Sequence, residues 1–145
     1  MNKPFCRDLY NKYDGLGINV SMSFLMQQGY KMQNNDEAFK SHDYIVEKGN
    51  KLYKIEVEVA RSWVGLNFPY KAMTVPYRKR ESKADFFFQI NNVGTALICC
   101  PMKQILNSIV ITKDTVYTQQ EKFFSIPIEE LTQYYKDDYW YYSSL

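Results

Sequence analysis

The chain has one histidine, three cysteines and a net charge of only +2 across 145 residues. The cysteines are Cys6, Cys99 and Cys100. An odd count, an adjacent pair that cannot readily bridge and no Cys-x-x-Cys spacing exclude a disulfide framework. They read as small core residues of a protein in a reducing, cytoplasmic setting. Charge so near balance does not by itself point to nucleic acid, so any basic footprint must be local. No apolar run is long enough to span a membrane. The opening residues, MNKPFCRDLYNKYDG, lack the apolar stretch of a signal peptide. There is no internal repeat and no low-complexity linker, and the length suits one domain over residues 1–145.

Aromatics, by contrast, are plentiful: 13 Tyr and 9 Phe help bring them to 17% of the chain. With 46% apolar residues, the chain can bury a core, and many tyrosines must sit half-buried with their hydroxyls partnered. Residues 3–13 read as a helix, ended by the breaker Asp14-Gly15-Leu16-Gly17. Asn19 or Ser21 caps a second helix that stops at Gly29. Residues 30–33 form a short strand. Residues 44–47 and 51–60 form a hairpin around Lys48-Gly49-Asn50. Residues 61–76 read as a long aromatic loop anchored by Trp63, and residues 75–82 as a helix start or an irregular segment. DFFFQI (85–90) and TALICC (95–100) are near-continuous apolar runs, expected as strands buried on both faces. A short helix over 101–106 follows, then strands over 109–117 and 123–126. Residues 128–135 read as a helix with acids in its first turn. The aromatic tail DDYWYYSSL packs back on the body.

The most informative stretch is HDYIVEKGNKLYKIEVEVA, residues 42–60. Period-2 alternation sends Tyr53, Ile55, Val57 and Val59 to one face, and Lys54, Glu56, Glu58 and Ala60 to the other. Glu56 and Glu58 then lie about 6–7 Å apart on one face. Pairing about Gly49 brings Asp43 toward them. Alternating charge of this kind is either a solvated face balanced by Lys51 and Lys54, or a set of oxygen ligands for a hard cation such as Mg2+ or Mn2+. Downstream, VPYRKRESKADFFFQIN places Arg78, Lys79, Arg80 and Lys83 just before a buried strand. Such a cluster is either a solvated end or a phosphate-binding element. His42, by alternation on the face opposite Asp43, reads as a surface residue. Asp36 and Glu37 read as solvated turn residues, and Asp8 as an acid on the first helix.

An Asp opening one strand, a tight turn, Glu-x-Glu on the next, a basic stretch and a buried strand together resemble the PD-(D/E)xK nuclease superfamily, over roughly residues 5–106. The resemblance implies an α/β (α+β) restriction-endonuclease-like fold: a central mixed sheet flanked by helices, in the order helix, three meandering strands, helix, strand. It implies a Mg2+- or Mn2+-dependent endonuclease hydrolysing phosphodiester bonds in DNA. Asp43, Glu56 and the backbone carbonyl of Val57 would hold the metal. Glu58 stands where the family carries lysine, as in some Glu-x-Glu restriction endonucleases, and would orient or deprotonate the attacking water. Lys79 or Lys83 would supply the missing cation. Arg61, Lys71, Arg78, Lys79, Arg80 and Lys83 would contact nucleic acid. A homodimer making paired cuts and a phage-encoded chain acting in the host cytoplasm are compatible with this reading. A catalytically inactive binding module on the same fold is the alternative.

Overall fold

A computed structural model of the chain describes residues 7–33, 44–115 and 119–143. Helix α1 (Arg7–Gln27) leads into β1 (Lys31–Met32), β2 (Tyr44–Lys48) and β3 (Lys51–Val59), followed by β4 (Ala72–Pro76) and a 3-10 helix (Tyr77–Glu81). Then come β5 (Phe86–Ile90), β6 (Ala96–Pro101), α2 (Met102–Leu106), β7 (Ile109–Lys113) and β8 (Glu121–Pro127). A short 3-10 turn (Ile128–Glu130), β9 (Gln133–Lys136) and β10 (Trp140–Ser143) complete the described chain. The strands form a seven-stranded mixed sheet, ordered β1-β2-β3-β5-β6-β9-β10, and a three-stranded sheet, β4-β8-β7. This is an α+β architecture with few helices. Among the described residues no helix is long and apolar enough to cross a membrane.

The β2–β3 hairpin follows its turn chemistry. Gly49 and Asn50 both take positive φ, 59° and 63°, as a two-residue turn twisted to match the strands requires. That fixes the register Lys48↔Lys51 through Tyr44↔Ile55. β3 then pairs in parallel with β5, Glu56 beside Phe87 and Glu58 beside Gln89. A parallel neighbour needs a crossover, and β4 with the first 3-10 helix lies within it. Asp85 fastens its end: its carboxylate accepts from the Lys54 N–H at 2.8 Å, and its own N–H donates to the Lys54 carbonyl at 2.7 Å.

Two cores lie on opposite faces of the large sheet. Under α1, Phe24, Leu25, Ile55, Phe88, Ile90 and Trp140 pack together. On the other face, Trp63, Met73, Phe87, Ile98, Phe124 and Ile126 join the large sheet to the small one. Each fully buried large apolar side chain contributes about 1.5–3 kcal/mol. Trp63 is fully buried, its indole N–H donating to the Asn67 carbonyl, so it anchors the loop after β3. Cys99 and Cys100 are free thiols on β6. Burial pushes them up to about 12 and about 11, as expected of inert packing residues.

Several expectations are corrected. No break separates two N-terminal helices: α1 runs through Gly15 and Gly17. Gly17 is there because α1 lies close on β3, and a Cβ at that position would sit 2.8 Å from Val57 Cγ1. Residues 61–76 are not all loop, since β4 pairs with β8 from Ala72↔Pro127 to Pro76↔Phe123. Residues 128–135 do not form a helix. Only a 3-10 turn forms, and β9 then pairs with β6 and β10. The sheet is flanked by α1 on one face but by the three-stranded sheet on the other.

The tail packs back as expected, through Trp140. Its N–H donates to Gln27 Oε1 at 2.6 Å and its carbonyl accepts from Gln27 Nε2 at 2.5 Å. A glutamine amide thus takes both backbone groups of Trp140, as a further strand would, at the edge of the sheet.

Candidate functional site

β3 carries its two acids toward the second core and the 3-10 helix that follows β4. Glu56 is only 7% exposed, a depth at which a carboxylate needs partners. It has two. Lys79, from the 3-10 helix, forms an ion pair with Oε1, and Ser82 Oγ donates to Oε2 at 3.2 Å. Lys79 is carried there by the 3-10 helix that starts directly after Pro76, the last residue of β4. Ser82 also accepts from the Ala84 N–H at 3.1 Å, fixing the approach to β5.

Glu58 is half-buried and less well served. Gln89 Nε2 lies 3.4 Å from Glu58 Oε1 and 3.4 Å from the Thr74 carbonyl, both long contacts. Gln89 is itself buried, the one polar side chain in the apolar strand β5. Desolvation pushes the Glu58 carboxyl up to about 7. Lys79, Arg78 and the Gln89 contact pull against that rise, while the Glu56 charge adds to it. The site therefore holds two carboxylates in different states: one neutralised by a lysine, the other crowded and desolvated.

No family model, curated protein or solved structure matches the chain.

Of the residues singled out from sequence, the fold gathers Glu56, Glu58 and Lys79. Arg78 stands beside them, its guanidinium paired with Glu121 on β8 at 3.1 Å. Arg80 lies over the Tyr77 ring, 4.6 Å from its centroid. Lys83, Arg61 and Lys71 are exposed. Val57 points to the opposite face, against Gly17 of α1. Asp43 lies outside the described residues, as do His42, Asp36, Glu37 and the side chain of Asp8. Its neighbour Tyr44 pairs with Ile55, itself the neighbour of Glu56. Among the described residues, no group of three or more His, Cys, Asp or Glu converges. Sequence reasoning missed Ser82, Gln89 and Thr74. Only Gln89 left a signal, a lone amide inside the apolar run DFFFQI.

Proposed function

We propose that the chain is a metal-dependent endonuclease of the PD-(D/E)xK type that hydrolyses phosphodiester bonds in DNA. One observation carries the reading: the buried Glu56 of the third strand meets a lysine delivered by the element that crosses to the parallel strand. Lys79 brings to the carboxylates the cation that position 58 lacks. The chain order gives further support. A helix, three antiparallel strands and a crossover to a parallel neighbour of the third strand follow the family's sequence of elements, with β4 and the 3-10 helix in place of its second helix.

The donor chemistry fits a hard divalent cation: carboxylate oxygens, with Glu58 short of compensating partners. Asp43, Glu56 and the Val57 carbonyl would hold Mg2+ or Mn2+, which supplies Lewis-acid activation of a water and of a phosphoryl oxygen. Glu58 orients the attacking water or takes its proton, in the place the family gives to lysine. Lys79, paired with Glu56 across the carboxylate site, is the lysine that would face the scissile phosphate and offset charge as it develops. Arg78 and Arg80 position the backbone on either side.

The test is a cleavage panel of duplex, single-stranded, flap and four-way DNA with Mg2+ or Mn2+. Wild type should cut at least one substrate, while Glu56→Gln, which keeps the size and the Ser82 contact, should cut none. Equal cleavage by Glu56→Gln sinks the assignment. A second reading, a non-catalytic binding module, is favoured by one observation: Lys79 already occupies Glu56. Calorimetry separates them, because the enzyme takes up Mn2+ in a Glu56-dependent way and the module does not.

A further inference from the structure

The segment between β3 and β4 is held more firmly than a connection needs. The Asn91 amide donates to the Gly65 carbonyl at 2.9 Å, and the Gln133 amide donates to the Leu66 carbonyl at 2.5 Å. Gln133 also accepts from the Phe68 N–H at 3.2 Å, and the Tyr135 hydroxyl donates to Asn67 Oδ1 at 3.0 Å. Out of this frame runs a row of rings. Trp63 and Phe68 meet edge to face with centroids 4.9 Å apart, and Phe68 and Tyr70 do so at 5.5 Å. Trp63 is fully buried, Phe68 half-buried, and Tyr70 is 48% exposed. The Tyr70 hydroxyl donates to Ser62 Oγ at 2.8 Å. Its ring is therefore fixed twice, against Phe68 and through Ser62, although half of it meets solvent. A ligand that used this ring would have little side-chain freedom to remove.

The row stands beside the carboxylates and on their side of the large sheet. Trp63 and Phe68 pack with Phe87, the strand neighbour that shares a face with Glu56. β3 and β4 are bridged twice. Glu58 and the Thr74 carbonyl both meet the Gln89 amide, and four residues farther out on each arm Ser62 meets Tyr70. Four residues span at most about 14 Å, so the Ser62 backbone lies within that distance of Glu58. No acid occurs between Glu58 and Glu81, whereas Arg61, Lys71, Arg78, Lys79 and Arg80 do. Glu129 and Glu130 follow Ile128, whose N–H donates to the Lys71 carbonyl, so they offset charge at that margin, and Glu81 does so beside Arg80. What the loop offers above its cations is thus an uncharged, fixed ring.

We infer that Tyr70 is a stacking platform for one unpaired base of a nucleic-acid strand that reaches the Glu56–Glu58 site, so that the substrate is single-stranded where it meets the protein. This role rests on the endonuclease reading and names the substrate class of that site. A base inside a duplex is stacked on its neighbours and offers no free face, whereas an unpaired base can lie on an aromatic ring. Stacking tolerates any sequence because every base has a π-face, so the platform selects strand form rather than sequence. It releases no counterions, which separates it from a phosphate contact.

The experiment is fluorescence anisotropy of labelled single-stranded and duplex 20-mers in EDTA, from 50 to 200 mM salt, with the cleavage panel run beside it. The proteins are wild type, Tyr70→Phe, which keeps the ring without the Ser62 bond, and Tyr70→Leu, which keeps apolar bulk on Phe68 without the ring. Loss of one stacked base weakens single-strand binding by Tyr70→Leu about 5- to 150-fold. Duplex binding and the slope of log affinity against log salt stay unchanged, and Tyr70→Phe stays close to wild type. Single-strand affinity of Tyr70→Leu equal to wild type overturns the platform. So does an equal loss in Tyr70→Phe, an equal loss for duplex, or a changed slope. Cross-linking of the wild-type complex to a 5-iodouracil strand reads the contact without any variant: it should map to Tyr70, and a map lacking Tyr70 overturns the platform. The endonuclease reading survives any of these failures if wild type still cleaves. The Tyr70 signature in a protein that cleaves nothing upholds the platform and overturns the catalysis. Absence of binding by wild type overturns both.

Discussion

The desolvated Glu58 makes a quantitative test of the site in metal-free buffer. An ordinary glutamate ionises near 4.5, whereas burial holds this one up to about 7. Between those values the folded chain keeps a proton that the unfolded chain has released. Folding stability from this residue therefore falls as pH rises, and the loss is complete above about 7. A rise of that size corresponds to at most about 3 kcal/mol, reduced by whatever water reaches the half-buried carboxyl. Glu58→Gln removes the ionisation while keeping the acceptor for Gln89. The variant should match wild type near pH 4 and exceed it by about 2–3 kcal/mol at pH 8.5. In urea titrations the midpoint difference should grow from near zero to roughly 1 M. The difference between the two proteins isolates Glu58 from every other titrating group. If that difference stays constant from pH 4 to 8.5, the Glu58 carboxyl is well solvated or well paired, and the crowded-acid description of the site is wrong.

Other substitutions probe the parts around it. Lys79→Met leaves Glu56 buried without its cation and should cost about 2–4 kcal/mol in a urea melt at pH 8. Adding Glu56→Gln to it should recover much of the loss, and a double-mutant cycle reads the coupling. On α1, two glycines two residues apart should respond with opposite signs. Gly15→Ala, with nothing within 4 Å of the new methyl, should stabilise by up to ~1 kcal/mol through helix propensity. Gly17→Ala drives its methyl against Val57 and Val59, and overpacking of about 1–3 kcal/mol should outweigh the same gain. Thermal melts of both variants check the pair. Gln27→Ala removes two hydrogen bonds to Trp140 and should cost about 1–2 kcal/mol by the same assay.

What was legible from sequence was what local chemistry decides. The β2–β3 hairpin follows from alternation and the Gly49-Asn50 turn, and the face shared by Glu56 and Glu58 follows from the same period. The apolar runs of β5 and β6 announced buried strands. The errors arose where distant partners decide. Gly15 and Gly17 read as a helix break because glycine weakens an isolated helix, but α1 packs so closely on β3 that a side chain at Gly17 would meet Val57 and Val59, and the helix runs on through both. Glu129 and Glu130 resemble a helical first turn, yet β6 offers Gln133, Tyr134 and Tyr135 a ladder that no local propensity records. β4 is short and bounded by prolines, so its pairing with β8 was hidden in a loop-like composition. At the site, Lys79 could be picked out as a nearby cation, but Ser82 and Thr74 are ordinary residues until the fold places them.

The placement of Glu58 bears on whether the site acts or only binds. A carboxyl held at about 7 beside a second carboxylate costs folding free energy at neutral pH. For packing alone, a glutamine there would serve the Gln89 contact without that cost. A surface that only bound nucleic acid would also do better without it, since an anion there repels phosphate. Local destabilisation of this kind concentrates where a site must do chemistry or hold a cation. Lys79 is consistent with the same division of labour: it satisfies Glu56 here, and under the proposed reading it would be the cation offered to a phosphate. The role proposed for Glu58, to orient the attacking water or take its proton, requires it to remain ionisable. The stability gained and the activity lost in Glu58→Gln should therefore appear together, whereas a gain in stability with undiminished binding and no activity in either protein is the behaviour of a module that only holds its ligand.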